Sequence, residues 1–115
     1  MAQDLERYDF HKDVALLEAL IIGKDNMEGY AILLTNDYLY WSKPQKLDSL
    51  GKDFLLFDGR KVTGELNWSS HVSLGTRKNR EDSLILSNEY TCAWKQYSHV
   101  RSEPRGTFEY LLFKV

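Results

Sequence analysis

The chain has 115 residues, a formal net charge of -2, and 43% hydrophobic against 28% charged residues. That is the size of one domain able to bury about two-thirds of its unfolded surface; the balance argues against disorder and advertises no polyanionic partner. A single cysteine, Cys92, excludes an intrachain disulfide framework and fits a reducing compartment, and no apolar run reaches signal-peptide or membrane-spanning length, so the expectation is a cytoplasmic protein with no membrane contact. The charge is uneven: residues 1 to 30 carry seven acids against three bases, and residues 31 to 115 carry ten against twelve.

From Asp9 onward Phe10, Val14, Leu17 and Ile21 recur at steps of four, three and four, with Leu16 and Leu20 beside them. Arg7, His11 and Glu18 lie opposite, so the segment reads as an amphipathic helix. Asp4 or Asp9 suits its start and Gly23 its end. A strand over Ala19 to Ile22 is the alternative, because short apolar runs are ambiguous. After a polar connection, Tyr30 to Thr35 and Tyr38 to Trp41 read as two strands around an Asn36-Asp37 turn, which would pair Leu34 with Leu39 and Ile32 with Trp41. Pro44 ends the second. Lys46 to Phe57 reads as a short helix or another strand, and Asp58-Gly59 as a turn.

Residues 61 to 74 alternate. Val62, Gly64, Leu66, Trp68, Ser70, Val72 and Leu74 fall on one parity and only polar side chains on the other, which predicts a long strand with one buried face and a bend or bulge at Gly64. A polar tip, 75 to 81, turns the chain into a partner strand, pairing Leu66 with Tyr90, Gly64 with Cys92 and Val62 with Trp94. A loop from about His99 to Gly106 leads into the last strand, where pairing Trp94 with Tyr110 sets Lys95 across from Glu109. The fold expected is α+β, with an N-terminal helix packed on a strongly bent, mostly antiparallel sheet containing three long C-terminal strands.

This element order resembles the NTF2-like family, with Gly51-Lys-Asp-Phe-Leu-Leu-Phe57 and the following Asp58-Gly59 as a local echo. The resemblance implies a bent sheet wrapped around helices into a cone, and no catalytic residue of that family falls on a matched position here. The stretch Gly29 to Trp41 suggests a pleckstrin-homology-like β-barrel as the alternative.

Little in the sequence carries chemistry. The inward face would present aromatic and aliphatic side chains, and Tyr38, Tyr40, Trp68, Tyr90 and Trp94 are candidate walls for a small apolar ligand in an isomerase- or hydratase-like cone. In a domain this small the same residues read first as packed core, since the N-terminal helix must bury its own apolar face, and the wall holds no Asp, Glu or His to act as acid or base, which weighs against an enzyme. His71-Val72-Ser73-Leu74 fits the His-x-Ser element of two-histidine phosphoesterases, but His99-Val100-Arg101 does not repeat it. Histidines at 11, 71 and 99 have no metal-ligand spacing, and no cofactor motif is present. Arg77, Lys78 and Arg80 form a basic loop tip suited to phosphate, hence a nucleic-acid reading, or else to solubility beside Glu81 and Asp82. In the expected register Ala93, Tyr97, Leu111, Phe113 and Val115 point outward as an apolar patch. Such a patch indicates a protein-binding module or a sheet-mediated homodimer, as in accessory, inhibitor or immunity-type proteins.

Overall fold

A computed structural model of the chain describes residues 2–45, 51–69 and 79–115. Among these it has an N-terminal helix, α1 (Ala2–Ile21), and five strands: β1 (Tyr30–Thr35), β2 (Lys61–Leu66), β3 (Leu84–Thr91), β4 (Lys95–His99) and β5 (Thr107–Lys114). The strands form two antiparallel sheets, one ordered β1-β5-β4 and the other β2-β3. The architecture is α+β as expected, and among the described residues no closed barrel forms.

Helix α1 begins several residues before Asp9 and ends at Ile21, with Gly23 at φ +72 just beyond it. It packs on β1, on β3 and on a single 3-10 turn, Lys52–Phe54. Because it touches both sheets, its buried stripe is wider than the apolar pattern suggests. Arg7 and His11, expected on the wet face, are buried with Tyr8, Phe10 and Val14. Arg7 tolerates this through Asp4 Oδ1 at 3.3 Å, the Leu39 carbonyl at 3.1 Å and the Tyr40 ring, whose centroid lies 4.7 Å from the guanidinium carbon. Glu18, near the helix end, accepts the N–H groups of Ser87 and Asn88 and the Tyr90 hydroxyl, at 2.8, 3.0 and 2.7 Å. One carboxylate thereby ties α1 to β3 and occupies backbone donors that another strand would otherwise pair with.

The alternation over 61–68 holds: Val62, Leu66 and Trp68 are buried, and Lys61, Thr63, Glu65 and Asn67 are exposed. The strand itself stops at Leu66, and residues 70–74 of the expected strand lie outside the described residues. Gly64 is the bulge, at φ +77, where the β2-β3 register shifts. Nothing lies within 4 Å of a β-carbon built there, so Gly64→Ala adds backbone strain alone; urea unfolding should register a loss of about 1 kcal/mol. The β2-β3 pairing is offset from the expected one. Leu66 faces Leu84 and Val62 faces Tyr90, a displacement by even numbers of residues that leaves the same parity inward.

Two pairings differ in kind. Tyr38 to Trp41 is not a strand: Tyr40 N–H donates to the Asp37 carbonyl at 3.1 Å, and Leu39 N–H to the Asp37 carboxylate at 3.0 Å. Asp37 thus closes a local turn, and β1 pairs with β5 from the far end of the chain, Ile32 facing Leu112 and Leu34 facing Tyr110. The long strand expected after Asp82 also breaks, at Cys92-Ala93-Trp94, into β3 and β4. There Cys92 N–H donates to the Arg60 carbonyl at 2.7 Å and Trp94 N–H to the Asp58 carboxylate at 2.9 Å. Past the break, Lys95, not Trp94, faces Tyr110, and Gln96, not Lys95, faces Glu109. In the loop that follows, a β-carbon on Gly106 would overlap the Val100 carbonyl oxygen, so only glycine fits.

The core lies between α1 and the two sheets and is rich in rings. Phe54 meets Tyr8 edge-on at 5.1 Å and Trp68 at 4.7 Å, Tyr90 stacks on Phe113 at 4.9 Å, and Phe10 meets Phe113 edge-on at 5.2 Å.

Candidate functional site

The site begins with an anomaly in two strands. Tyr30-Ala-Ile-Leu-Leu34 in β1 and Tyr110-Leu-Leu-Phe113 in β5 carry apolar side chains at both parities. Strands with that composition are ordinarily covered on both faces. Here α1 and the core cover one face, taking Ala31, Leu111 and Phe113 into the interior. Among the described residues the other face is open. Tyr30, Ile32 and Leu34 on β1, Leu112 on β5 and Tyr97 on β4 are all exposed, with Ile32 at 66% and Tyr97 at 65%. Ile32, Leu34, Tyr97 and Tyr110 line a shallow groove of about 350 Å³ across the three strands.

The charges on this face sit at its margin. Lys114 Nζ lies 3.4 Å from the Glu28 carboxylate, which also accepts the Tyr30 hydroxyl at 2.8 Å. That hydrogen bond, with Lys114 beside it, holds the Glu28 carboxyl below its ordinary pKa. Lys95 faces Tyr110 at the other side of the sheet. At the loop end Phe108 leads to a second hollow of about 450 Å³, lined with it by Asn36, Val100, Pro104 and Arg105 among others. The surface is therefore an apolar, tyrosine-rich centre with a polar rim, the composition of a protein interface core.

The residues expected to bind a partner divide. Ala93 and Tyr97 are exposed, and Tyr97 lies on the open face. Leu111 and Phe113 are core residues, 0% and 2% exposed, and Val115 is half-buried against the core. The expectation that these three point outward is corrected by the one-residue slip at Trp94: side chains alternate across a strand, so a single step exchanges every residue of β5 between faces. The outward residues that the pattern missed are Ile32, Leu34, Tyr110 and Leu112. The signal for them was the run of apolar residues at both parities.

The five candidate pocket walls do not share one environment. Tyr40, Trp68, Tyr90 and Trp94 are buried among other side chains, while Tyr38 stands exposed on the surface. Trp68 stacks on Tyr8 at 5.7 Å and its Nε1 donates to the Arg80 carbonyl at 2.6 Å; Trp94 Nε1 donates to the Leu56 carbonyl at 2.6 Å. The Tyr40 hydroxyl donates to the Glu6 carboxylate. Burial, reinforced by Glu18, raises the Tyr90 phenol to about 12, and burial raises the Cys92 thiol to about 12, so both are neutral near pH 7. Of the phosphate-contact residues, Arg77 and Lys78 lie outside the described residues, and Arg80 is engaged by Asp9 in a two-point ion pair at 2.7 and 2.9 Å. His71 likewise lies outside the described residues, and His99 Nδ1 is 2.7 Å from the Thr107 hydroxyl. Among the described residues no group of three or more His, Cys, Asp or Glu is placed to hold a metal ion, and no helix is long and apolar enough to cross a membrane.

A second apolar surface lies between α1 and β3. Ala15, Glu18, Ala19, Ile22 and Ile85 line a groove of about 510 Å³ there. It has no aromatic side chain among these residues and is crossed by the Glu18 clamp. Compared with known proteins, the chain matches no family model, no curated protein and no solved structure.

Proposed function

We propose that this protein is a non-enzymatic binding module that works in the cytoplasm through protein-protein contacts, as an accessory, inhibitory or immunity-type protein does. The observation that carries the reading is the uncovered outer face of β1-β5-β4, where Ile32, Leu34, Tyr97 and Leu112 are exposed together on one surface. Contiguous apolar area of this kind is uncommon on a monomer and raises its free energy unless something covers it. Tyrosine supplies large contact area at small conformational cost and a hydroxyl that stays wet at the rim.

The test is co-purification from the native cell with the wild type, Ile32→Asp and Tyr97→Asp. A specific partner should be retained by the wild type and lost in both variants, because a carboxylate at the centre of such a face weakens binding by about 2 kcal/mol, roughly 30-fold. Equal recovery of the same partner by all three proteins would refute the assignment of this face.

A further inference from the structure

We infer that the occupant of this face is a second copy of the same chain, bound sheet to sheet; the inference rests on the reading of the face as a protein interface. Three properties of the surface favour self-association over a foreign partner.

The first is area. Tyr30, Ile32, Leu34, Tyr97 and Leu112 are between 44% and 66% exposed. Scaled by aromatic side chains of about 150–250 Å² and somewhat smaller aliphatic ones, this is on the order of 500 Å² of apolar face per copy. Two copies together would remove about 1,000 Å², the threshold of a specific interface. The second is charge. A face that recognises a foreign partner electrostatically needs unpaired charge of one sign, whereas here Glu28 and Lys114 neutralise each other, Glu109 has the parity of the core-facing Leu111 and Phe113, and Lys95 stands at the margin of the open face. Such a rim does not repel its own copy. The third is shape. The open sheet carries Tyr30, Ile32 and Leu34 of β1 on one flank and Tyr97 of β4 on the other, with β5 between them. A two-fold axis parallel to β5 sets each flank of one copy over the opposite flank of the other. β1 then lies over the second copy's β4, with Leu34, level with Tyr110, against the methylene stem of Lys95 and beside Tyr97, and the groove over Tyr110 receives a side chain from across the interface. The product is an ordinary aligned sheet sandwich, its layers about 10 Å apart, in which β1 and β5 gain the second apolar contact their composition calls for.

The experiment is sedimentation velocity on the full chain at concentrations up to about 100 µM, in the range where an interface of this size associates. The wild type should sediment as a dimer of the 13.5 kDa chain at the upper end and dissociate on dilution. Ile32→Asp and Tyr97→Asp should each shift the dimer to monomer by at least about 30-fold in Kd. Both residues are exposed, so circular dichroism and the thermal midpoint, measured at the low concentration where the wild type is also monomeric, should be unchanged, and two independent variants guard against loss of fold in one. Ile85→Asp, on the α1/β3 surface, should leave the dimer intact.

A monomer at every concentration overturns self-association, as does a dimer that persists in both variants or one that is lost in Ile85→Asp alone. A photo-crosslinking amino acid at Tyr97 separates this failure from failure of the binding reading. A monomeric chain that crosslinks through position 97 to a different protein refutes only the dimer, while a monomeric chain that crosslinks to nothing refutes both.

Discussion

Phe113→Asp is expected to abolish folding, whereas Leu112→Asp, one residue earlier, should change monomer stability by no more than about 1 kcal/mol. Phe113 is 2% exposed, stacked on Tyr90 at 4.9 Å and set edge-on against Phe10 at 5.2 Å. Truncating such a ring costs about 3–5 kcal/mol through lost transfer energy and the cavity left behind. A carboxylate in its place adds the cost of an unpaired buried charge. The sum reaches the about 5–15 kcal/mol that holds a domain of this size together. Leu112 has its side chain on the open face, 44% exposed, where a carboxylate keeps its water. Urea unfolding monitored by far-ultraviolet circular dichroism distinguishes the two. A cooperative transition for Phe113→Asp near that of the wild type would show that β5 does not sit in the register described.

The second large effect is on pH. His11 is fully buried in α1, ringed by Phe10 and Phe54, with its Nδ1 donating to the Arg7 carbonyl at 2.9 Å. Its Nε2 is buried without a hydrogen-bond partner among the described residues. Burial lowers the imidazole from its ordinary pKa of 6.5 to about 4, against the Arg7 carbonyl, which favours the charged ring, and with the Arg60 charge adding to the depression. Between those two values the unfolded chain binds a proton that the folded chain refuses. Stability from this site is therefore intact above about pH 6.5 and is lost as the pH falls toward about 4. Between about pH 7 and pH 4.5 the loss should be on the order of 2 to 3 kcal/mol, since each tenfold difference in proton affinity between the two states is worth about 1.4 kcal/mol. Denaturant titrations at the two pH values test it, with His11→Leu as the control. The wild type should weaken at the lower pH and the variant much less; an equal loss in both would assign the acid sensitivity to other groups.

Much of the fold was legible locally. The inward parity of residues 61–68 and of β3, the bulge at Gly64, the stop at Gly23 and the turn at Asp58-Gly59 all follow from side-chain alternation and from backbone preferences within a few residues. Parity survived even though the β2-β3 register was displaced, because the displacement was even. Pairing between distant segments was not legible in the same way. Alternation alone puts Leu111, Phe113 and Val115 on the outer face; the bend at Cys92-Ala93-Trp94 shifts β4 by a single residue and reverses this, and that bend is held by Arg60 and Asp58, far back in the chain. The helix pattern puts Arg7 and His11 in water, because it reports polarity and does not report how many sides of the helix are packed.

The sequence by itself determined that the chain is an α+β protein with one N-terminal helix, mostly antiparallel strands, an aromatic core and no recognisable catalytic or cofactor motif. It also contained, in β1 and β5, more apolar side chains than one covered face can absorb. Only the tertiary structure decided which of them were left over. The choice between Leu111 and Leu112, or between Ala31 and Ile32, depends on which segment pairs with which and on which side α1 packs. Those contacts join residues about eighty positions apart, so no local pattern encodes them, and they alone leave Ile32, Leu34, Tyr97, Tyr110 and Leu112 together on the open face.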